Sequence, residues 1–448
     1  MKLLTTEYKT AKILSLMIAI ILALLPFHAF LAVWLSSMVG HYTLLRLWKE
    51  FLLMVVLAGA TFLVLRDKNL VRLLASSWLI RLMAIYCLLI LACGLTAYLS
   101  GSVSAKAMWY GLLVDVRYLI FFIAVLVVAS KADWLADNWQ ALLFWPAAIV
   151  ALFAILQFLV LPYDFLRHFG YGPNTISPYE TINHNLQHIR VASTLRGANP
   201  LGAYLILPIC ALAALIAKNK RLSGSNAVLG AGLFLSLVFS FSRSAWIGSV
   251  LGLLTIIWLS IKSDQAKKIL LISISAVAVI AIVAAVGLHN NLTFENTFLH
   301  TDRQSKISST SNENHVAAFK GAANDVLHNP LGSGVGSAGP QSVYNNQPAR
   351  IAENYYLQIG QEAGVLGMAL FISINLVVAV SLYRSKEDTL ALAMLASLVG
   401  LSFVNMLSHA WEDDTLAYLW WGLAGIALAP AILARRRKRN GQASKTAK

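Results

Sequence analysis

The stretch Arg350-Ile-Ala-Glu-Asn-Tyr-Tyr-Leu-Gln-Ile-Gly-Gln-Glu-Ala-Gly-Val-Leu-Gly367 ends the longest polar interval of the chain. The interval begins near Leu288 and holds roughly 75 residues between two apolar runs, each long enough to cross a bilayer. Its last residues lead directly into the second run, so carboxylates and amides stand at the edge of the hydrocarbon. Such groups are costly there, which favours a functional role over an ordinary solvated helix start.

The composition indicates a polytopic membrane protein. Of the 448 residues, 58% are hydrophobic and 12% are charged, and the mean hydropathy is +0.69. The net charge of +15 would suggest nucleic-acid binding in a soluble protein. Most Lys and Arg residues fall in short connectors and in the C-terminal tail, however, and no folded basic domain accompanies them. We therefore predict a lipid bilayer, and no nucleic acid, as a partner.

Apolar runs of about 17–25 residues predict about twelve transmembrane helices and an all-α fold. These runs lie near residues 13–37, 48–65, 79–98, 109–130, 138–160, 199–217, 225–241, 244–261, 267–288, 364–383, 388–407 and 416–434. Residues 1–434 then form a single transmembrane domain.

The basic connectors predict the orientation of these helices. They alternate with less basic connectors and lie at 66–78, 218–224, 262–268 and 384–387. Counted as cytoplasmic, they place both termini inside and leave a medium loop near 161–198 and a large loop near 289–362 outside. Residues 435–448 form a basic cytoplasmic tail, and the polar chemistry of the chain is concentrated outside the cytoplasm.

Three features of the polar connectors give further expectations. Apolar residues at helical spacing predict a surface helix over 314–327, ended by Pro330. The glycine-rich stretch 329–340 is interpreted as a flexible turn, with a phosphate cradle as the alternative. The aromatic side chains grouped near the last span fit an interfacial belt better than a sugar platform; they are Trp411, Trp420 and Trp421.

Arginines on the predicted outer side run against the positive-inside bias, so each needs a local reason. Arg190 and Arg196 precede one span, and Arg243 lies in the short turn Phe241-Ser-Arg-Ser244 between two others. A guanidinium group binds phosphate oxygens in a bidentate fork and keeps its charge, which suits a pyrophosphate at the lipid boundary. Contact with lipid headgroups or a structural ion pair is the alternative for each.

Acid–base chemistry has two candidates in the large loop. Glu353 is expected at the N-terminus of the last loop helix, where the carboxylate is stabilised as the anion and can accept a proton from a hydroxyl group. His315, on the surface helix, is the second candidate, whereas Glu362 is interpreted as structural. No pair of histidines has metal-ligand spacing, so no metal site is predicted.

Three motifs, in this order, resemble the O-antigen ligase and polymerase family of membrane glycosyltransferases. The first is the arginine-led segment that runs from Arg190 to Leu205 and opens a span. The second is the Ser-Arg turn, Phe241-Ser-Arg-Ser-Ala-Trp-Ile-Gly248. The third is the end of the large loop, Asn329-Pro-Leu-Gly-Ser-Gly-Val-Gly336, followed by Glu353-Asn-Tyr-Tyr-Leu-Gln358 and Glu362-Ala-Gly-Val-Leu-Gly367.

The resemblance implies a GT-C-like membrane fold and an inverting transfer without metal or other cofactor, at the outer face of the cell inner membrane. The donor would be a glycan on undecaprenyl pyrophosphate, and the acceptor a hydroxyl group of a glycan, lipid or protein. Arg190 and Arg243 would hold the pyrophosphate, with help from Arg196, and Glu353 would be the base, with His315 as the alternative. Ligases commonly carry His where this chain has Glu353, so ligase and polymerase both stay open.

Two other functions remain possible from the sequence. A transporter or flippase of polyisoprenoid-linked sugars would need a polar pathway through the spans, and the mostly apolar spans count against it. A non-catalytic scaffold of a wall-synthesis complex would tolerate the loss of the outer arginines.

Overall fold

The structure is a computed structural model that describes residues 6–182, 185–288, 291, 311–346 and 348–446. The helices are α1 (Thr6–Leu24), α2 (His28–Val39), α3 (Tyr42–Leu45), α4 (Trp48–Arg66), α5 (Lys68–Ser76), α6 (Trp78–Leu99), α7 (Ala105–Ala129), α8 (Trp134–Leu159), α9 (Ala198–Asn219), α10 (Gly224–Phe239), α11 (Arg243–Ser260), α12 (Asp264–Gly287), α13 (Ser311–His328), α14 (Tyr355–Arg384), α15 (Thr389–Asn405) and α16 (Asp414–Thr446). Short 3₁₀ turns lie at Leu25–Phe27, Phe165–Phe169, Pro340–Tyr344 and Ala410–Glu412, and the strands are β1 (Glu180–Ile182) and β2 (Asn185–Arg190).

The described helices are those of a multi-pass membrane protein. Eight helical segments within the described residues are long and apolar enough to cross a membrane, and α10 and α15 are shorter apolar helices. The first of the eight joins α1 and α2 into one segment, Thr6–Val39. The count of twelve, the single-domain boundary and the orientation stay predictions. Much of the predicted large loop, residues 289–290 and 292–310, lies outside the described part of the chain, as do residues 447–448 of the predicted tail.

Two connectors are long, and they form the site described below. The first long connector (residues 160–197) contains the antiparallel pair β1–β2, with Glu180 opposite Arg190. This small sheet corrects the expectation of an all-α fold. Its strands are too short for alternating hydrophobicity to reveal them in the sequence. The pair places Arg190 at the point where the connector turns toward α9.

The second long connector (residues 288–354) contains α13 and the glycine-rich stretch 329–340. The predicted surface helix is confirmed as α13, and three of its apolar side chains are 47–79% exposed, namely Val316, Phe319 and Leu327. This exposed apolar face suits contact with lipid or with an apolar ligand.

The last helix of the predicted loop begins earlier than the apolar run does. Helix α14 starts at Tyr355 and is kinked at Gly364, whose φ of 71° and ψ of −175° break the helical pattern. The amide of Val365 donates to the carbonyl of Pro330 over 2.9 Å, and a Cβ on Gly364 would lie 2.3 Å from that carbonyl oxygen. Glycine is required because the chain adopts a left-handed conformation against another backbone. The polar turns before the kink are therefore helical and buried, and the predicted loop end near 362 stays a prediction.

Small residues allow three helices to pack closely behind the first long connector. Gly248 of α11 faces Gly400 of α15, and a Cβ on Gly400 would lie 2.2 Å from the carbonyl oxygen of Gly248. A Cβ on Gly252 would lie 2.5 Å from the Sγ atom of Cys210 in α9. Close backbone approach of this kind is the usual basis of helix association in membranes. It holds rigid the helices that carry the site.

The three tryptophans near the last span are part of the hydrophobic core. Trp411, Trp420 and Trp421 are each 0% exposed, and the ring centroids of Trp420 and Trp421 are 5.0 Å apart. The Trp421 ring also packs against Tyr118 of α7 at 5.5 Å. The expectation of an interfacial belt is therefore wrong for these residues. Hydropathy places them near the end of a span, but only the packing of α16 against α7 encloses them.

Candidate functional site

One cavity of about 580 Å³ brings together four of the five residues predicted to act. We call it the arginine cavity. Arg190 and Arg243 line it, as do His315 and Glu353, although these side chains come from four separate segments. The remaining lining is mostly apolar and includes Phe241, Ile247, Val316, Phe319, Met406 and Leu407. The cavity therefore combines ionic groups with a surface that accepts hydrocarbon. The chemical role of each predicted residue stays a prediction.

Arg190 is held in place by three neighbours. Its Nη2 atom donates to Oδ1 of Asn199 over 2.6 Å, and its Nε atom donates to the carbonyl of Ser240 over 3.1 Å. Its Nη1 atom lies 3.7 Å from the Glu180 carboxylate, and its side chain is 14% exposed. Burial lowers the pKa of Arg190, and the Glu180 carboxylate opposes this effect. A guanidinium group nevertheless remains charged at neutral pH.

Arg243 is positioned by the turn that Arg190 contacts. It is the first residue of α11, and the turn before it contains Phe241 with a φ of 49°. The amide of Val191 donates to the carbonyl of Phe239 over 3.1 Å, which fixes the turn to the chain beside Arg190. Arg190 and Arg243 lie far apart in the sequence, but the same turn positions both side chains. A ligand with several anionic oxygens fits such a pair.

Glu353 and His315 form the other charged part of the arginine cavity. Oε2 of Glu353 lies 3.6 Å from Nδ1 of His315, and both side chains are partly exposed. Asn354 is the N-cap of α14, because its side chain accepts a hydrogen bond from the amide of Leu357 over 2.9 Å. Glu353 therefore precedes the cap, and the expectation that it begins the helix is corrected by two positions. The helix dipole acts on it less directly than expected.

Two residues that line the arginine cavity have strained backbones. Phe241 and Glu353 have φ values of 49° and 50°, in the left-handed region that non-glycine residues seldom adopt. Such conformations cost about 1–3 kcal/mol each and persist where surrounding contacts enforce them. For Glu353, these contacts are hydrogen bonds made by the two residues that follow it. Asn354 Nδ2 donates to the carbonyl of Met406 over 2.9 Å, and the amide of Tyr355 donates to the carbonyl of Ser408 over 3.2 Å.

Arg196 lies at a different cavity. Its Nε atom is 3.0 Å from Oδ2 of Asp413, and it lines a polar cavity of about 310 Å³ together with Asp414 and Glu412. We call this second space the paired-charge cavity. The grouping of Arg196 with Arg190 and Arg243 is therefore corrected. The five residues that separate Arg190 from Arg196 lead the chain toward α9, and the two side chains line different cavities.

Several amides of the glycine-rich stretch are bound within the protein. The amides of Ser333 and Gly334 donate to the carbonyls of Gln361 and Glu362 over 2.7 and 2.9 Å. The amide of Gly336 donates to Oε1 of Glu362 over 2.8 Å. These contacts pack this part of the stretch against α14, so these three amides are not available to a phosphate. Glu362 is fully buried and bound to this backbone, which agrees with its structural interpretation.

Sequence reasoning missed several residues that shape the arginine cavity. Lys320 lines it one helical turn after Val316, and Asn199 both lines it and holds Arg190. The four-residue spacing of Val316 and Lys320 on one helix could have placed the lysine on the face that carries Val316. Nothing local indicated Asn199. Within the described residues, no three His, Cys, Asp or Glu side chains are grouped so that they could hold a metal ion, and metal-independent chemistry stays a prediction.

Comparison with known proteins supports the resemblance seen in the motifs. Residues 227–372 match the family model described as O-antigen ligase, and no curated protein matches the chain. The matched range contains Arg243, His315 and Glu353 of the arginine cavity, whereas Arg190 and Arg196 precede it. The chain thus has the helices of a multi-pass membrane protein, and its residues 227–372 are similar to the O-antigen ligase family.

Proposed function

We propose that the chain transfers a glycan from undecaprenyl pyrophosphate to an acceptor hydroxyl group at the outer face of the cytoplasmic membrane. The single observation that carries this proposal is the composition of the arginine cavity. It brings Arg190, Arg243 and Lys320 together with the Glu353–His315 pair and adds apolar side chains to the same lining. A lipid-linked pyrophosphate requires both features, because its headgroup is anionic and its carrier is a long hydrocarbon.

The proposed reaction is a single displacement at the sugar carbon attached to the pyrophosphate. The acceptor oxygen forms a bond to this carbon from the opposite face, so the configuration is inverted. The bond from the carbon to the pyrophosphate oxygen breaks, and its electron pair leaves with undecaprenyl pyrophosphate. The proton of the acceptor hydroxyl passes to the Glu353 carboxylate. This scheme uses no metal and no other cofactor.

The two arginines act mainly on the leaving group. Negative charge grows on the pyrophosphate oxygen as the bond breaks, and fixed cationic donors stabilise that charge more in the transition state than in the ground state. Arg190 is already oriented by Asn199 and Ser240, so little reorganisation is needed. The Glu180 carboxylate near Arg190 keeps the charge of the cavity from rising so far that product release is slowed.

The alternative is a transporter or flippase that moves a polyisoprenoid-linked sugar without changing its covalent structure. The neighbouring carboxylate and imidazole favour the transferase, because proton abstraction is needed for transfer and not for transport. Polymerase and ligase differ only in the acceptor. A growing glycan as acceptor gives a ladder of products, and a different lipid, protein or glycan acceptor gives one product.

The test uses the purified full-length chain in bilayer discs with a defined lipid-linked glycan, and it measures product size by gel or mass spectrometry. We expect Arg190→Ala and Arg243→Ala each to reduce the rate about 10²–10³-fold, the range for loss of one preorganised donor. Arg167→Ala is the matched control, because this arginine of the first long connector is 57% exposed and pairs only locally with Asp164.

Equal rates for wild type and both cavity variants would reject the proposal. A wild-type chain that leaves the donor covalently unchanged, but moves it between leaflets of a vesicle, would support the flippase instead. Thermal unfolding of each variant separates loss of chemistry from loss of fold.

A further inference from the structure

The paired-charge cavity is built from the same parts of the chain as the arginine cavity. Both long connectors contribute to it, through Thr175 and Arg196 of the first and Gln341 of the second. The connector between α15 and α16 lines both spaces, with Met406, Leu407 and Ser408 at one and Glu412 and Asp413 at the other. The two cavities are therefore neighbours at the same end of the helices.

The carboxylates of the paired-charge cavity have cationic partners within the protein. Asp413 pairs with Arg196 at 3.0 Å. Asp414 pairs with Lys49 at 2.9 Å and also contacts Arg117. In the arginine cavity, the carboxylate nearest to Arg190 is that of Glu180, at 3.7 Å. Arg196 is thus paired more closely with a carboxylate than Arg190 is.

The remaining lining is suited to a neutral polyol. Tyr42 and Tyr110 line the cavity, and Nη2 of Arg46 donates to the Tyr110 hydroxyl over 3.4 Å. The guanidinium carbon of Arg46 lies 5.5 Å from the centre of the Tyr42 ring. Aromatic faces pack against the C–H surface of a sugar, while amides, hydroxyls and paired carboxylates exchange hydrogen bonds with its hydroxyl groups. Keeping such a polar cavity beside membrane helices is costly unless a ligand uses it.

His409 links the two cavities electrostatically. Burial lowers the pKa of His409 to about 4, with smaller contributions from Arg196 and His315. Arg196 lines the paired-charge cavity and His315 lines the arginine cavity. His409 therefore lies near charged residues of both cavities.

We propose that the paired-charge cavity binds a sugar residue of the acceptor glycan, and that Arg196 and Asp413 recognise that sugar through their exposed donors and acceptors. This inference rests on the proposed function, since it assigns the second substrate of the same reaction. It gives Arg196 a role in acceptor binding that is separate from the pyrophosphate. It also makes a glycan, not a bare lipid, the acceptor.

The experiment measures binding without turnover. The probe is the oligosaccharide repeat released by mild acid from the lipid-linked glycan of the cells that carry this chain, tritiated at its reducing end. Equilibrium dialysis against the full-length chain in bilayer discs gives the dissociation constant. The test variant is Arg196→Gln combined with Asp413→Asn, which removes both charges and keeps the net charge. Arg167→Gln is the control.

We expect saturable binding to wild type and to Arg167→Gln, and a dissociation constant about tenfold higher for the double variant, as the loss of charge-assisted hydrogen bonds predicts. Excess inorganic pyrophosphate should not displace the oligosaccharide. Tyr42→Leu is the second variant, to be used if the double variant unfolds at a lower temperature than wild type, and it should weaken binding in the same direction.

Absence of saturable binding to wild type, displacement by pyrophosphate, or equal affinity of the double variant and the control would each overturn the inference. Failure of the proposed function is distinguishable from failure of this inference. If wild type binds the oligosaccharide but never transfers a glycan, the transferase is rejected and the sugar-binding cavity is not. If wild type transfers a glycan but any of the three results above is found, only the sugar-binding role of the paired-charge cavity is rejected.

Discussion

The arginine cavity and the paired-charge cavity are lined by the same two segments, residues 190–199 and 406–415, yet the arginines of these cavities have different partners. In the first cavity, Arg190 donates to two neutral acceptors, Asn199 and Ser240, and lies 3.7 Å from one carboxylate. In the second cavity, Arg196 pairs directly with Asp413 at 3.0 Å. The same residue type can therefore have different roles, because the rest of the fold supplies its partners.

The two cavities also differ in what their glutamates can do. Glu353 is partly exposed beside His315, so it can exchange a proton with a ligand. Glu412 is buried, and burial raises its pKa to about 8, against the lowering effects of the hydrogen bond from Gln358 and the charge of Arg196. A group that is protonated at neutral pH does not act as a base. Acid–base chemistry is thus expected at the arginine cavity only.

The largest effect is expected from the base of the proposed reaction. Glu353→Gln keeps the shape of the side chain but removes its ability to accept a proton, and we expect the turnover number to fall about 10²–10⁴-fold. His315→Asn should cost about tenfold or less, because the imidazole then only orients the carboxylate. Turnover at saturating donor and acceptor measures both, and Glu313→Gln on the same helix is the control. The opposite order of the two losses would assign the base to His315.

An intermediate effect is expected in the pH dependence of stability. The pKa of Glu412 is raised from 4.5 to about 8 in the folded chain, so its contribution to stability is fully present below pH 4.5 and is lost as pH rises through 8. The pKa of His409 is lowered from 6.5 to about 4, so its contribution is lost as pH falls from 6.5 through 4. Of these two groups, only Glu412 should change stability between pH 6.5 and 8.

The measurement is the midpoint of thermal unfolding in detergent across that window. Wild type should become less stable as pH rises, and Glu412→Gln should show a flatter profile. Parallel profiles would mean that Glu412 is ionised in the folded chain, and the two cavities would then differ less than proposed.

The smallest effect is expected from the ion pair of the paired-charge cavity. Arg196 is 43% exposed, so solvent screens its attraction to Asp413 and the pair should contribute only about 0.2–1 kcal/mol to stability. A double-mutant cycle with Arg196→Gln and Asp413→Asn measures this coupling from unfolding midpoints. A coupling well above that range would indicate that the pair holds the fold, and that its main role is structural.

Local patterns predicted much of the fold and part of the site. The boundary between α10 and α11 was predicted within two residues, although only a four-residue turn interrupts the apolar sequence there. Helix α13 and its end before Pro330 were also predicted, since proline and helical spacing act locally. The start of α14 was predicted within two positions, at Glu353 instead of Tyr355. The β1–β2 pair was not predicted, because it depends on how the first long connector folds back on itself.

The sequence by itself determined that this is a membrane protein, where its apolar helices lie, and which rare polar residues could act, because hydropathy and charge are properties of short segments. Only the tertiary structure decided that Arg190 and Arg243 line one cavity with Glu353 and His315, while Arg196 lines another. It also decided that the three tryptophans are buried. The physical reason is that ion pairing and burial depend on atoms brought together from distant parts of the chain, which no local pattern records.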